Sequence, residues 1–126
     1  MPHLTVEYTA NLVLDADTLL GRLNDALVAS GHFDEEAIKS RLVALDNFRL
    51  GSTDTHAPRA FVHAHLRILP GRDEAVRAAL SEALQQVLRE HLPAGPYRLQ
   101  ICSEVGELPA SYRKTTVLPL SSPAFS

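Results

Sequence analysis

The stretch AFVHAHLRILPGRDEAVRAALSEALQQVLREH, residues 60–91, decides the fold. Residues 60–69 alternate between apolar and polar side chains, which predicts a strand with one buried face. Pro70 and Gly71 interrupt that pattern,. From residue 73 to 91 apolar side chains recur at helical spacing, with acidic residues in the first turn and basic residues in the last, as the helix dipole favours,. The stretch therefore predicts a strand, a short turn and a helix.

The residues on either side repeat this order of elements. Residues 2–8 alternate like a half-buried strand, and residues 15–30 carry leucines at helical spacing,. Residues 38–50 are typical of an extended segment, and residues 51–58 are rich in the small and polar residues of a loop,. After the second helix, residues 98–105 predict a last strand. The chain is thus predicted to be a β-α-β unit, a loop and a second β-α-β unit.

The predicted fold class is α+β, with a four-stranded mixed sheet and two helices on one face. Helical crossovers make each flanking pair of strands parallel and bring both helices to the same side. The length of 126 residues fits a single domain over residues 1–126, with an irregular tail from about 109 to 126,. A sheet with parallel pairs is rarely left bare on one face, so we expect the second face to pack against other copies of the chain.

Composition restricts the partners of the chain. The net charge of -3 provides no general attraction for nucleic acid or an anionic membrane, so neither is expected as a partner. A single cysteine, Cys102, excludes an internal disulfide and fits a reducing cytoplasm,. The apolar context LQIC predicts that this thiol is buried and inert. No signal peptide or membrane-spanning run is apparent, so a cytoplasmic protein is expected,.

Two histidines are the only feature that suggests a metal site. His63 and His65 share one face of the strand in residues 60–69,. No third ligand follows at a characteristic spacing, so histidines with a structural or interface role are favoured over a metal site.

Three segments together resemble one known family. They are MPHLTVEYTANL (1–12), IKSRLVALDNFRLG (38–51) and RAFVHAHLRILPGR (59–72). The most specific parts are the opening MPH-x-x-VE and the pattern FVH-x-x-L-x-I-x-x-GR. The chain is similar in these segments to the 5-carboxymethyl-2-hydroxymuconate isomerase family of the tautomerase superfamily. The resemblance implies a homotrimer, no cofactor, and 1,3-proton transfer in an unsaturated 2-hydroxy acid that carries two or three carboxylates.

The resemblance also implies that Pro2 is the acid/base catalyst. From its position alone, Pro2 is more simply explained as the first residue of an edge strand. Catalysis requires removal of Met1, which turns the Pro2 nitrogen into a free secondary amine. To act as a base near neutrality, this amine must hold its proton less tightly. Nearby cations and partial desolvation have that effect.

Three cations are candidates for substrate binding. Arg72 precedes the second helix, where a cation is disfavoured unless an anion binds there too; a solvated surface arginine is the alternative. Lys39 and Arg41 share a strand face and could hold a second carboxylate, or they could be exposed or paired with Glu7 of another subunit,. Arg41 is preferred to Lys39 as the carboxylate-binding residue, because a guanidinium can donate two hydrogen bonds to one carboxylate. The family, however, often has Arg at the position of Lys39.

Two other functions stay open at this point. One is a different keto-enol isomerase of the tautomerase superfamily, with the same proline and another pocket shape. The other is a trimeric protein that binds small carboxylates without catalysis.

Overall fold

The computed structural model describes residues 1–52, 58–92 and 95–120. A short 3-10 turn, Glu35–Ala37, precedes the second strand. The regular elements, in chain order, are β1 (His3–Thr9), α1 (Ala16–Ala29), β2 (Lys39–Leu45), β3 (Arg59–Ile68), α2 (Glu74–His91) and β4 (Arg98–Glu107). The predicted order of two β-α-β units is confirmed. Residues 53–57 of the predicted loop, and Pro93, which we expected to end α2, lie outside the described residues.

The largest differences from the predicted strand boundaries are in β2 and β4. The extended segment predicted over residues 38–50 contains a strand only as far as Leu45. Ile38 instead closes the 3-10 turn, with its N–H donating to the Glu35 carbonyl at 3.2 Å. At the other end, β4 extends two residues beyond Val105, because Glu107 still pairs with Ile68 of β3.

The sheet has the order β2-β1-β3-β4. β1 is parallel to β2 and antiparallel to β3, and β3 is parallel to β4. Both helices bury their leucines against the same face of the sheet, so the predicted fold class is confirmed. The side chains that are fully buried in this layer include Leu4, Val6, Leu23, Leu27, Val62, Leu66, Ile68, Leu84 and Leu88.

The two β-α-β units begin with matching backbone contacts. The Lys39 N–H donates to the Pro2 carbonyl at 3.1 Å, which joins the start of β2 to the residue before β1. In the second unit, the Arg98 N–H donates to the Pro58 carbonyl at 2.9 Å, which joins β4 to the residue before β3. Pro58 and Arg98 are therefore the structural counterparts of Pro2 and Lys39.

The second face of the sheet, which we call the open face, is polar. His63 and His65 lie on it, 2.6 and 3.7 Å from the two carboxylate oxygens of Glu104. Cys102 pairs with His63 and is exposed on this face, so the expectation of a buried thiol is wrong. The alternation of β4 directs its side chain away from the helices. Within the described ranges, no group of three or more metal-ligating side chains could hold a metal ion.

No helix in the described part of the chain is long and apolar enough to cross a membrane.

The start of α2 depends on one side-chain cap. The Asp73 carboxylate accepts a hydrogen bond from the Val76 N–H at 2.9 Å. We expect Asp73→Ala to lower the free energy of unfolding by about 1 kcal/mol, because one helix amide loses its partner. Urea unfolding at a fixed protein concentration measures this change. Asp73→Asn is the matched control, since Asn caps as well as Asp. An alanine variant as stable as the wild type would contradict the assignment.

Candidate active site

Pro2 is fully buried at the beginning of the sheet. Its carbonyl accepts the hydrogen bond from Lys39 described above, so β2 fixes its position. Met1 is attached ahead of it and is partly exposed. While Met1 is attached, the Pro2 nitrogen is an amide with no basic lone pair.

A cavity of about 320 Å³ lies beside the amino terminus. The segment that follows α1, the end of β3 and the tail all contribute to its wall. Its lining residues are Met1, Gly31, His32, Phe33, Asp34, Ala37, Leu69 and Lys114.

Three cations surround the amino terminus. The pKa of the Met1 amino group is lowered, first by burial and then by the charges of Arg72, Lys39 and Lys114. Asp34 acts in the opposite direction and raises it. The local charge is therefore positive, in a chain whose net charge is negative.

Arg72 reaches this region from just before α2. Its Nη2 donates to the His32 carbonyl at 2.8 Å, and its Cζ lies 5.0 Å from the centroid of the Phe33 ring. Asp73 already caps the first turn of α2. With the Val76 amide occupied by this cap, the guanidinium of Arg72 is the charged group at this point that can meet an anion.

Lys39 reaches the same region from the start of β2. Its Nζ donates to the Ala37 carbonyl at 2.7 Å, which leaves two of its N–H bonds for other partners,. The pKa of Lys39 is lowered by burial, then by the charges of Lys114 and Arg41. Lys39 thus experiences the charges of two other cations, and a bound anion would stabilise its charged form,.

Arg41 lies in a different cavity within one protomer. This second cavity, of about 460 Å³, is on the open face. Arg41 Nη2 donates to His3 Nδ1 at 2.8 Å. His3 Nε2 must then carry the proton, so it donates to the Tyr112 hydroxyl at 2.9 Å,. Burial, then Arg41, Lys39 and Arg67, lowers the pKa of His3.

Of the predicted cations, the structure therefore brings Arg72 and Lys39 to the amino terminus. It groups Arg41 with His3 and Tyr112. Sequence analysis missed Lys114 and Phe33, which line the cavity beside Met1. The one sequence feature that could have drawn attention to Lys114 is that the chain has two lysines, Lys39 and Lys114.

Comparison with known proteins gives the site its context. A model of the 5-carboxymethyl-2-hydroxymuconate isomerase family matches residues 2–114. No curated protein sequence is similar enough to this chain to count as a match.

Solved structures agree with the family match. A 5-carboxymethyl-2-hydroxymuconate isomerase from Deinococcus radiodurans R1 is 32% identical, with a TM-score of 0.79, 91% of this chain covered and 90% of that one. A 5-carboxymethyl-2-hydroxymuconate delta-isomerase is 22% identical, with a TM-score of 0.68 over 93% of this chain and 89% of that one. A symmetric trimer of fused 4-OT is 26% identical, with a TM-score of 0.54 over 80% of this chain and 84% of that one.

The enzymatic nature of the family favours the predicted isomerase over a carboxylate-binding protein without activity. The match begins at the proline and ends at Lys114, so it includes the amino terminus and the residues around it. The chain belongs to the 5-carboxymethyl-2-hydroxymuconate isomerase family and is an isomerase of the tautomerase superfamily.

Proposed function

We propose that Pro2, freed by removal of Met1, is the acid/base catalyst that moves a proton in an acid of the 5-carboxymethyl-2-hydroxymuconate type. The observation that carries this proposal is the gathering of three cations around the amino terminus. A cation cluster of this kind serves two needs. It weakens the hold of the amine on its proton, and it attracts an anionic substrate.

The position of Pro2 among cations is expected to lower the pKa of its free amine. An ordinary α-amino group titrates near pH 8, and a free proline amine is more basic. Burial and the charges of Arg72, Lys39 and Lys114 lower the pKa of the amino group at this end of the chain. We expect the Pro2 amine, one residue further on, to experience the same charges. A base with a pKa near the working pH gives the fastest proton transfer.

The substrate class follows from charge. An acid of this type has a 2-hydroxy group on a conjugated carbon chain that ends in carboxylates. Arg72 and Lys39 would each hold one carboxylate and stabilise the negative charge that develops when the proton leaves. Arg41 stays a predicted substrate-binding residue. Because Arg41 lines the open-face cavity and not the cavity beside Met1, we propose that it reaches the site of a neighbouring protomer.

The proposed reaction uses the chain's own groups alone. The Pro2 nitrogen takes the proton of the 2-hydroxy group, and the O–H electron pair forms the C=O bond. The conjugated double bonds shift by one position, and the protonated Pro2 returns the proton to a distant carbon. No electrons are gained or lost, so the step requires no redox cofactor.

The proposed assembly is a homotrimer. The open face presents polar and charged side chains on all four strands, and an uncovered sheet with parallel pairs is unusual. The fused 4-OT relative forms a symmetric trimer. Light scattering of the purified protein distinguishes a trimer from a monomer by mass.

Covalent labelling tests the Pro2 proposal directly. A relative of the same fold, Pt0534, 22% identical with a TM-score of 0.61, is inactivated by 2-oxo-3-pentynoate. The triple bond of this reagent is conjugated to a ketone, so a free amine can add to it. With Met1 removed, we expect loss of activity and addition of one reagent molecule on the N-terminal peptide, measured by mass spectrometry.

Cys102 requires a control in this experiment, because its exposed thiol can also add to the reagent,. The labelling is therefore done in Cys102→Ser, which leaves the amino terminus unchanged. In a sample that retains Met1, Pro2 should carry no label, because its nitrogen is then an amide. Inactivation without modification of Pro2 would contradict the proposal.

A further inference from the structure

The C-terminal tail returns to the amino terminus along a defined route. We call residues 108–114 the strap. Leu108 is buried, and its N–H donates to the Ile68 carbonyl at 2.8 Å, which fixes the start of the strap at the end of β3. A turn follows, in which the Tyr112 N–H donates to the Pro109 carbonyl at 2.9 Å. The Tyr112 side chain then contacts His3 through a hydrogen bond and through packing of the two rings.

The contact between Tyr112 and His3 fixes the far end of the strap. The His3 Nε2 and the Tyr112 hydroxyl are 2.9 Å apart, although the two residues are 109 positions apart in the chain. Their rings pack edge to face at a centroid distance of 5.5 Å. Two residues later, Lys114 lines the cavity that Met1 also lines. The strap therefore brings a third cation to the amino terminus.

This third cation lies among like charges. Lys114 contributes to the low pKa of both the Met1 amino group and Lys39. Within the ranges 1–52, 58–92 and 95–120, no ion pair closer than 4.0 Å joins a carboxylate to Lys114, Lys39 or Arg72. Asp34 is the one acidic residue in the cavity wall. Three cations around one carboxylate make a site that a polyanion would stabilise.

We infer that Lys114 is a substrate-binding residue that holds the third carboxylate of a tricarboxylate substrate. This inference rests on the proposed function, in which Arg72 and Lys39 hold the other two. A 2-hydroxymuconate with a 5-carboxymethyl group carries three carboxylates, one for each of the three cations around the amino terminus of a protomer. The strap is then the part of the chain that selects tricarboxylates over dicarboxylates.

Kinetics on two substrates test this inference. Lys114→Met is assayed with 5-carboxymethyl-2-hydroxymuconate and with 2-hydroxymuconate, which lacks the third carboxylate. We expect KM for the tricarboxylate to rise roughly ten- to hundredfold, the effect of losing a hydrogen bond to a charged group, with little change in kcat. KM for the dicarboxylate should change much less. Lys114→Arg should keep most of the wild-type preference.

Arg22→Met is the charge-matched control, because it removes one exposed cation from α1, away from the cavity. Thermal melting of each variant verifies folding. Equal KM values for the wild type and Lys114→Met on the tricarboxylate would overturn the inference. An equal loss on both substrates would overturn it too, because Lys114 would then act on the amine and not on the third carboxylate.

A binding measurement separates this inference from the Pro2 proposal. Calorimetry with tricarballylate, a stable tricarboxylate, requires no catalysis and can be done on Pro2→Ala. We expect Lys114→Met to bind it more weakly than Lys114→Arg and the wild type. A wild-type affinity no greater than that of Lys114→Met overturns the inference on Lys114 alone. Full activity of Pro2→Ala overturns the Pro2 mechanism alone.

Discussion

A version of the protein whose Pro2 nitrogen remains an amide is expected to lose its isomerase activity. A short, uncleaved extension ahead of Pro2 creates this state without changing any side chain of the site. Positioned acid/base groups contribute typically about 10²- to 10⁴-fold to rate, so kcat/KM should fall by at least that range. Ultraviolet absorbance during ketonisation of 2-hydroxymuconate measures the rate.

The same extension placed after Ser126 is the matched control, and it should leave the rate unchanged. Pro2→Ala provides an intermediate case, because it keeps a free but primary amine after removal of Met1. We expect its activity to lie between those of the wild type and the extended chain. An N-terminally extended protein with full activity would show that the proton is moved by another group.

Removal of the Arg72 charge is expected to have the second largest effect. Arg72→Gln should lower kcat/KM on the proposed substrate by roughly ten- to hundredfold, because a charged hydrogen bond to a carboxylate is lost. Arg72→Lys keeps the charge but cannot donate two parallel hydrogen bonds to one carboxylate, so its kcat/KM should fall by less than that of Arg72→Gln. Arg72 also donates a hydrogen bond to the His32 carbonyl, so its replacement could destabilise the fold. Thermal melting of each variant therefore accompanies the assay.

The pH profile distinguishes an electrostatic role of Arg72 from a merely structural one. The charge of Arg72 lowers the pKa of the Met1 amino group. We expect the same effect on the Pro2 amine once Met1 is removed, so removal of the Arg72 charge should raise the pKa of that amine. The free base then forms only at higher pH, and the acidic limb of the kcat/KM profile moves upward. Arg22→Gln, which removes a distant charge, should leave this limb in place. An unmoved limb in Arg72→Gln would contradict the assignment.

The fold could be predicted because its signals are local. Residues 60–69 alternate and residues 73–91 repeat with helical period, and each pattern reports directly which face is buried. Strand parity also placed Lys39 and Arg41 on one face. Parity does not distinguish positions along a strand, and Arg41 lies roughly 6.6 Å further from the amino terminus than Lys39. Arg41 pairs with Thr5 in the sheet, and its guanidinium donates to His3 Nδ1 on the open face instead of reaching the cavity beside Met1.

The role of the strap could not be predicted, because its contacts are not local. Residues 109–114 have no apolar period, so the pattern indicates an irregular tail and no more. The position of Lys114 depends on the contact between Tyr112 and His3, two residues from opposite ends of the chain. The exposure of Cys102, by contrast, could have been predicted, because strand alternation groups it with the polar residues Gln100 and Glu104,.

The matched backbone contacts at Pro2 and Pro58 show that the two β-α-β units begin alike. The two prolines nevertheless differ in whether their nitrogen can become a free amine. Both prolines stand at the head of a central strand, and each accepts from the first residue of the neighbouring parallel strand. Pro58 lies in mid-chain, so its ring nitrogen is permanently acylated and chemically silent. Under the proposed Pro2 mechanism, a chain with two matching scaffolds would support one reactive centre, and cleavage of the Met1–Pro2 bond would be the step that creates it.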